Sequence, residues 1–203
     1  MSSSWLSGIL HCKALSFLFL CVLLFAKELT GRFQERAPIT NGGHMLQLTS
    51  PAFQADGNIP MRFTCQGSDI SPALAWRDAP SGTKTFALVV HDPDAPRAGG
   101  FTHWVVYDIP ATTNHILENA PKQQVLAGVG GTQGQNDFGK IGYAGPCPPS
   151  GTHRYFFRLY ALDAELKLDS GATQKVLEKA MQGHIREQAE IMGKYKKSSE
   201  RAA

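Results

Sequence analysis

The chain has 203 residues, 42% of them apolar and 18% charged. That composition supports one packed domain with a sizeable core and excludes intrinsic disorder. The formal net charge is +3 and no basic run exceeds Lys196-Lys197, which excludes a nucleic-acid footprint.

The first segment with a character of its own is Ala14 to Ala26, apolar throughout except for Ser16. It is too short for a spanning helix, which needs roughly 20 residues, and it suits a secretory signal core. Lys13 precedes it and Lys27-Glu28 follow. Leu24 stands where cleavage after Ala26 prefers a small residue. An uncleaved anchor lengthened by Trp5 to Leu10, or a start codon placed upstream of a cytoplasmic protein, are therefore the alternatives. Residues 1–26 are read as signal peptide or anchor, 27–43 as a polar linker, 44–197 as the folded domain and 198–203 as a polar tail. The leader predicts an exported, periplasmic or membrane-attached protein.

The body then alternates short apolar runs with turn signals. "MLQLTS" (45–50) alternates, "IPMRFTC" (59–65) follows the "ADGN" turn, and "ALAW" (73–76) lies between two proline-bearing corners. "KTFALVVHD" (84–92) and "FTHWVVYDIP" (101–110) are longer apolar strands, and "YFFRLYALD" (155–163) follows. Short strands of this kind predict a mainly β fold of two packed, mostly antiparallel sheets. Helical spacing occurs only near the C-terminus. Ala172, Val176, Leu177 and Ala180 predict a helix to Met181. Ile185, Ala189 and Met192 predict a second short helix from His184, ended by Gly193. Cys65 and Cys147 are the only cysteines of the body. Export would allow one disulfide between them, but two isolated buried thiols is the reading preferred from the residues alone. Residues 128–142 hold six glycines without a nucleotide-binding pattern and read as a surface loop.

Three segments carry candidate chemistry. His91-Asp92-Pro93-Asp94-Ala95-Pro96 ends a buried strand, and its prolines present two carboxylates at a rigid corner. Taken alone, it is a turn whose aspartates cap amides. Thr102-His103-Trp104 opens the next strand, where alternation places His103 with Val105 on one face and Trp104 with Val106 on the other. Taken alone, His103 is a satisfied core histidine. "GPCPPSGTHRY" (145–155) is a proline-stiffened loop feeding His153 and Tyr155, on one face of a strand with Arg154 on the other.

In combination these segments resemble the phosphatidylethanolamine-binding protein family, in its bacterial and archaeal Raf kinase inhibitor-like branch. The resemblance rests on "DPDAP", the following "HW" and "YAGPCPPSGTHRY". "SPAF", "IPMRFTCQGSDISPALAW", "GTKTFAL", "NDFG", "YALD" and "GHI" add to it, so that it runs from about Leu46 to Tyr195. It implies a two-sheet β fold with a small anion pocket for phosphate or a phosphorylated head group. The implied lining is Asp92, Pro96, His103, Gly145, Pro146, Pro148, His153 and Tyr155. It implies no cofactor or metal, and a homodimer is in keeping with it. Phe101-Thr102 stands where many bacterial relatives carry two aromatics, a departure expected to alter the rim. The kinase-inhibitor role is not carried over to an exported protein.

The physical chemistry of such a site is specific. Imidazole and phenol groups are hydrogen-bond donors, and amides near Gly145 would add more. Asp92 repels an anion unless it orients or charges a histidine. Anion affinity is then expected to rise as pH falls through the histidine range, roughly 6 to 7. The leading reading is a non-enzymatic binding or regulatory protein, able to act on a partner such as a kinase or protease. The alternatives are a surface-interaction module with a vestigial pocket, a hydrolase using Ser150, His153 and Asp92, and a metal site built from His91, His103 and His153. No GxSxG elbow supports the hydrolase.

Overall fold

The computed structural model describes residues 45–198 of the chain. The leader, the linker and residues 199–203 of the tail lie outside the described residues. The element order is β1 (Gln47–Thr49), a 3-10 turn (Met61–Phe63), β2 (Leu74–Arg77), β3 (Thr85–Asp92), β4 (Phe101–Pro110), β5 (His115–Ile116), β6 (Thr132–Gln133), β7 (Thr152–Leu162), α1 (Gln174–Met181) and β8 (Ile185–Lys196). The strands form two sheets, ordered β1-β2-β5 and β6-β4-β3-β7-β8, with every pairing of named strands antiparallel.

The larger sheet is buried on both faces. Phe86, Leu88 and Val90 of β3 join Leu48, Trp76 and Ile116 of the small sheet in the main core. Ala87 and Val89 point the other way, to Leu177 and Met181 of α1. A strand with two buried faces reads as a continuous apolar run, as "TFALVVHD" does. The first helix forms where its spacing predicts it, but Leu177 and Met181 are its buried face and Val176 is exposed.

Three expectations are corrected. The second helix is β8, a strand paired along its length with β7, Leu162 opposite Ile185 and Thr152 opposite Lys196. Ala189, Ile191, Gly193 and Tyr195 are buried alternately, so a period of two is satisfied where a helical spacing had been read. Gly193 is no helix cap. It lies opposite Tyr155, where an added Cβ would meet Ile59 Cγ1 at 2.6 Å. "IPMRFTC" forms the 3-10 turn instead of a strand. The two body cysteines form a disulfide, Cys65–Cys147, with Cα atoms 5.4 Å apart, and are not isolated buried thiols.

A β-bulge in β4 decides the position of the candidate site. Val90 pairs with Trp104 and His91 with Thr102, which leaves His103 as the extra residue. Strict alternation fails there: Trp104 still joins the inter-sheet core and Val105 the helix side. His103 turns with Trp104 toward the inter-sheet side instead of with Val105. Thr102 faces the helix, its hydroxyl donating to Gln174 Oε1 at 2.6 Å.

Candidate anion-binding site

At the ends of β3, β4 and β7 lies a cavity of about 280 Å³. Of the residues singled out in the sequence, Asp92, Pro96, His103, Pro148, His153 and Tyr155 line it. Gly145 and Pro146 do not. They stand behind the wall, where the Gly145 N–H donates to Asp69 Oδ1 at 2.6 Å and the Pro146 carbonyl accepts from Cys65 N–H at 3.1 Å. The amide expected to reach an anion is thus committed elsewhere. A Cβ at Gly145 would lie 2.3 Å from the Phe63 carbonyl oxygen and 2.7 Å from Thr64 Cα, so only glycine fits this approach of two backbones.

The proline corner separates its two carboxylates. Asp92 ends β3 and is buried; Oδ1 accepts the Asp94 N–H at 2.8 Å, and Oδ2 lies 2.8 Å from His153 Nδ1. Asp94 turns outward to Arg154, which gives it two guanidinium bonds, at 2.9 and 2.7 Å, and its backbone N–H at 2.9 Å. Hydrogen bonding to Arg154 holds the Asp94 carboxyl down at about 2. Asp94 therefore fastens the corner to β7 while Asp92 faces the cavity.

Each histidine is tied to the wall through Nδ1. His103 Nδ1 is 2.7 Å from the Ala144 carbonyl oxygen, and His153 Nδ1 faces Asp92. Both partners are acceptors, so each Nδ1 carries the hydrogen and Nε2 is left for the cavity. Burial lowers the His103 pKa, opposed in part by the Ala144 carbonyl and by Asp92. Tyr155 is fully buried; its hydroxyl makes no hydrogen bond of good geometry, and the Asp92 carboxylate and the Cys147 backbone are the polar groups beside it. Burial first, then the charge of Asp92, push its ionisation well above the ordinary tyrosine range, so it remains a neutral donor. Trp76 Nε1 and His91 Nδ1 are the other partnerless buried atoms among the described residues, and neither residue lines the cavity.

Ala95, Arg97, Phe101, Phe138, Cys147 and Pro149 complete the lining; none belongs to the expected ligand set, and of them only Phe101 was expected at the rim. The Phe101 and Phe138 rings meet edge to face at 4.6 Å, and Phe101 lies 5.2 Å from the His103 ring. Arg97 covers Phe101 at 5.4 Å and reaches Asp137 at 3.7 Å. The glycine-rich segment supplies Phe138, because the buried Asn136 gathers the Phe138 and Lys140 amides and the Gly142 carbonyl. It is more than a surface loop: it also contains β6, whose buried Gln133 accepts the Trp104 Nε1 hydrogen at 2.7 Å. Phe138 gave no signal in composition or spacing, and only its place in the "NDFG" motif pointed to it. Thr102 does not touch the rim, so its departure from the aromatic pair falls on the opposite face.

Two alternative constellations are not assembled. Ser150 is exposed and is not among the cavity-lining residues. His91 points to the α1 side of the sheet, where Gln174 and Glu178 influence it. Among the described residues no three or more His, Cys, Asp or Glu are placed to hold a metal ion.

Comparison with known proteins agrees with this architecture. The family model for phosphatidylethanolamine-binding protein matches residues 49–196. A UPF0098 protein of Aquifex aeolicus is 50% identical over 159 residues, covering 77% of this chain and 91% of its own. One from Methanothermobacter thermautotrophicus is 47% identical over 152 residues, covering 75% and 99%. Among solved structures, the Chlamydia trachomatis phosphatidylethanolamine-binding protein homolog CT736 superposes with a TM-score of 0.70 at 41% identity, covering 77% of this chain and all of that one (100%). Escherichia coli YBCL, described as a member of the mammalian family, gives 0.72 at 34%, covering 76% and 100%. Over its folded body, this chain belongs to the phosphatidylethanolamine-binding protein family.

Proposed function

We propose that the protein is a non-enzymatic binding protein whose cavity takes a small oxyanion, either phosphate or a phosphorylated head group. The observation that carries this reading is the Tyr155 hydroxyl, a buried donor with no well-formed hydrogen bond, beside Asp92 and at a cavity that also receives two imidazole edges. Leaving such a donor unsatisfied is unfavourable, and a ligand oxygen would satisfy it. Asp92 supports the reading because its second oxygen is spent orienting His153, a role that suits a carboxylate in an anion site. Arg97 brings a permanent cation to the mouth. A volume of about 280 Å³ is at the small end for ligand sites, enough for a phosphate with a short substituent. The Cys65–Cys147 disulfide supports placing the domain in an oxidising compartment outside the cytoplasm. Regulation of a partner would act through the mouth, where Phe138 is exposed.

The test is calorimetric titration of the full chain with phosphate and with phosphoethanolamine, at about pH 6 and about pH 8, beside Tyr155→Phe. The wild type is expected to bind more tightly at the lower pH. The variant loses one hydrogen bond to a charged group and should bind roughly tenfold more weakly. A wild type that binds neither ligand would overturn the reading in favour of a surface-interaction module.

A further inference from the structure

The stretch 147–151 is held in the cavity wall by few bonds. Pro148 and Pro149 have no N–H to give, and among the described residues no backbone–backbone hydrogen bond reaches residues 147–151. The anchors stand on either side: the Pro146 carbonyl accepts the Cys65 N–H, and the ladder of β7 with β8 begins at Thr152. Within the stretch, the disulfide at Cys147 is the cross-link to the rest of the fold, with the Tyr155 hydroxyl beside the Cys147 backbone. Its other end is firm, because Gln66, next to Cys65, accepts from the Tyr195 hydroxyl and the Ser198 N–H. The cross-link is also within reach of solvent. Cys65 is exposed and Cys147 half-buried. Both line a second hollow, a groove of about 530 Å³, together with Asp69, Lys122, Phe138 and Lys140. Cys147 and Phe138 line the cavity as well, so the two hollows meet across them. The groove is cationic. Lys122 Nζ donates to the Asp69 carbonyl and carboxylate, at 2.8 Å each, which cancels that carboxylate, while the Lys140 ammonium makes no ion pair among the described residues.

We propose that the Cys65–Cys147 disulfide is a redox latch on the cavity wall, opened by a thiol reductant that enters through this groove. The inference stands whatever the cavity takes. The incoming thiolate attacks Cys65 Sγ, the exposed end. A new S–S bond forms to Cys65 while the Cys65–Cys147 bond breaks, and its electron pair leaves on Cys147 Sγ as a thiolate. A second thiol of the reductant then displaces Cys65. The reductant, a dithiol, is oxidised to its disulfide, and its two protons end on the two cysteine thiols of the reduced protein. Lys140 favours both the entering and the leaving thiolate, as a cation beside a thiol does. On the cavity side Arg97 acts in the same sense and Asp92 against it. Reduction frees residues 147–151 as a proline-stiffened flap. The rest of the wall stays, held by the Gly145 N–H on Asp69 Oδ1 and the Tyr143 hydroxyl on the Phe63 carbonyl. The cavity then opens into the groove.

The experiment treats the folded full chain with 2-mercaptoethanol at neutral pH, quenches with iodoacetamide and weighs the cysteine peptides by mass spectrometry. The mixed disulfide is expected on Cys65 over Cys147 by about tenfold, at a rate proportional to thiol concentration while circular dichroism stays native. Lys140→Glu should slow this step several-fold. After full reduction with dithiothreitol, Cys147 should alkylate within about threefold of the rate of Cys65, because the flap has swung clear. A reduction rate that levels off with thiol concentration, set by unfolding, would overturn the proposal. So would an unchanged rate in Lys140→Glu, which removes the groove as the route of entry. Alkylation of Cys147 more than about tenfold slower than Cys65 after reduction would overturn it too, since the wall would then stay shut without its bond. None of these readouts involves phosphate, so they fail or succeed separately from the oxyanion reading.

Discussion

Removing the disulfide gives the most quantitative test of how the cavity wall is held. The bond joins residues 82 apart in sequence, tying the turn after Met61–Phe63 to the proline loop. In the chain-entropy relation, closing a loop of that length restricts the unfolded chain by roughly 4.5 kcal/mol at 25 °C, and measured losses for native disulfides are about 2–5 kcal/mol. Cys65 is exposed and Cys147 half-buried, so Cys65→Ala/Cys147→Ala removes little packing beyond the cross-link. The double variant is therefore expected to lose about 3 kcal/mol, a fall in melting temperature of roughly 6–12 °C for a domain of this size. Urea unfolding of the oxidised wild type and the variant measures it. Cys147 lines the cavity between Pro146 and Pro148, so phosphate affinity should fall as well. A stability change below about 1 kcal/mol would refute the loop-closure argument. A large stability loss with unchanged affinity would refute the claim that the bond holds the wall.

The other predictions are narrower. Burial lowers the pKa of His103 and of His91 below their ordinary value, near 6.5. Between that value and their own lower ones, the unfolded chain binds protons that the native state does not, so stability falls as pH drops through the window and is flat with respect to these groups above it. Thermal melts from about pH 5 to pH 8 without phosphate should show this loss. Gly145→Ala sets a Cβ against backbone atoms that cannot move aside, and denaturant unfolding should report about 2–3 kcal/mol of destabilisation. Nitrogen NMR of histidine-labelled protein above neutral pH should find His103 and His153 both as Nδ1–H tautomers; Nε2–H at either would contradict the assigned bonds.

Much of the architecture was legible because periodicity and burial are local properties of the chain. The doubly buried β3 announced itself as an unbroken apolar run, and the prolines of 93, 96, 146, 148 and 149 marked the two rigid segments that meet at the cavity. Asp92, His103, His153 and Tyr155 could be named from their motifs. β8 was misread because Ile185, Ala189 and Met192 satisfy a helical spacing while Ala189, Ile191 and Tyr195 satisfy a strand. The choice is made by β7, which offers hydrogen bonds along the full length of the partner strand.

The β class, the rigid corners and the residue types that meet at the site depend on side-chain pattern and on the fixed φ of proline, both of which are written locally in the chain. Which way those groups face is set by contacts between segments far apart in the chain. A single extra residue in β4 turns His103 toward the cavity and Thr102 away from it. A carboxylate distant in sequence, Asp69, claims the Gly145 amide, and Phe138 reaches the rim through bonds made by Asn136. The orientation of the two imidazoles likewise follows from Ala144 and Asp92 holding their Nδ1 atoms, a property of contacts across the fold that no spacing along the chain encodes.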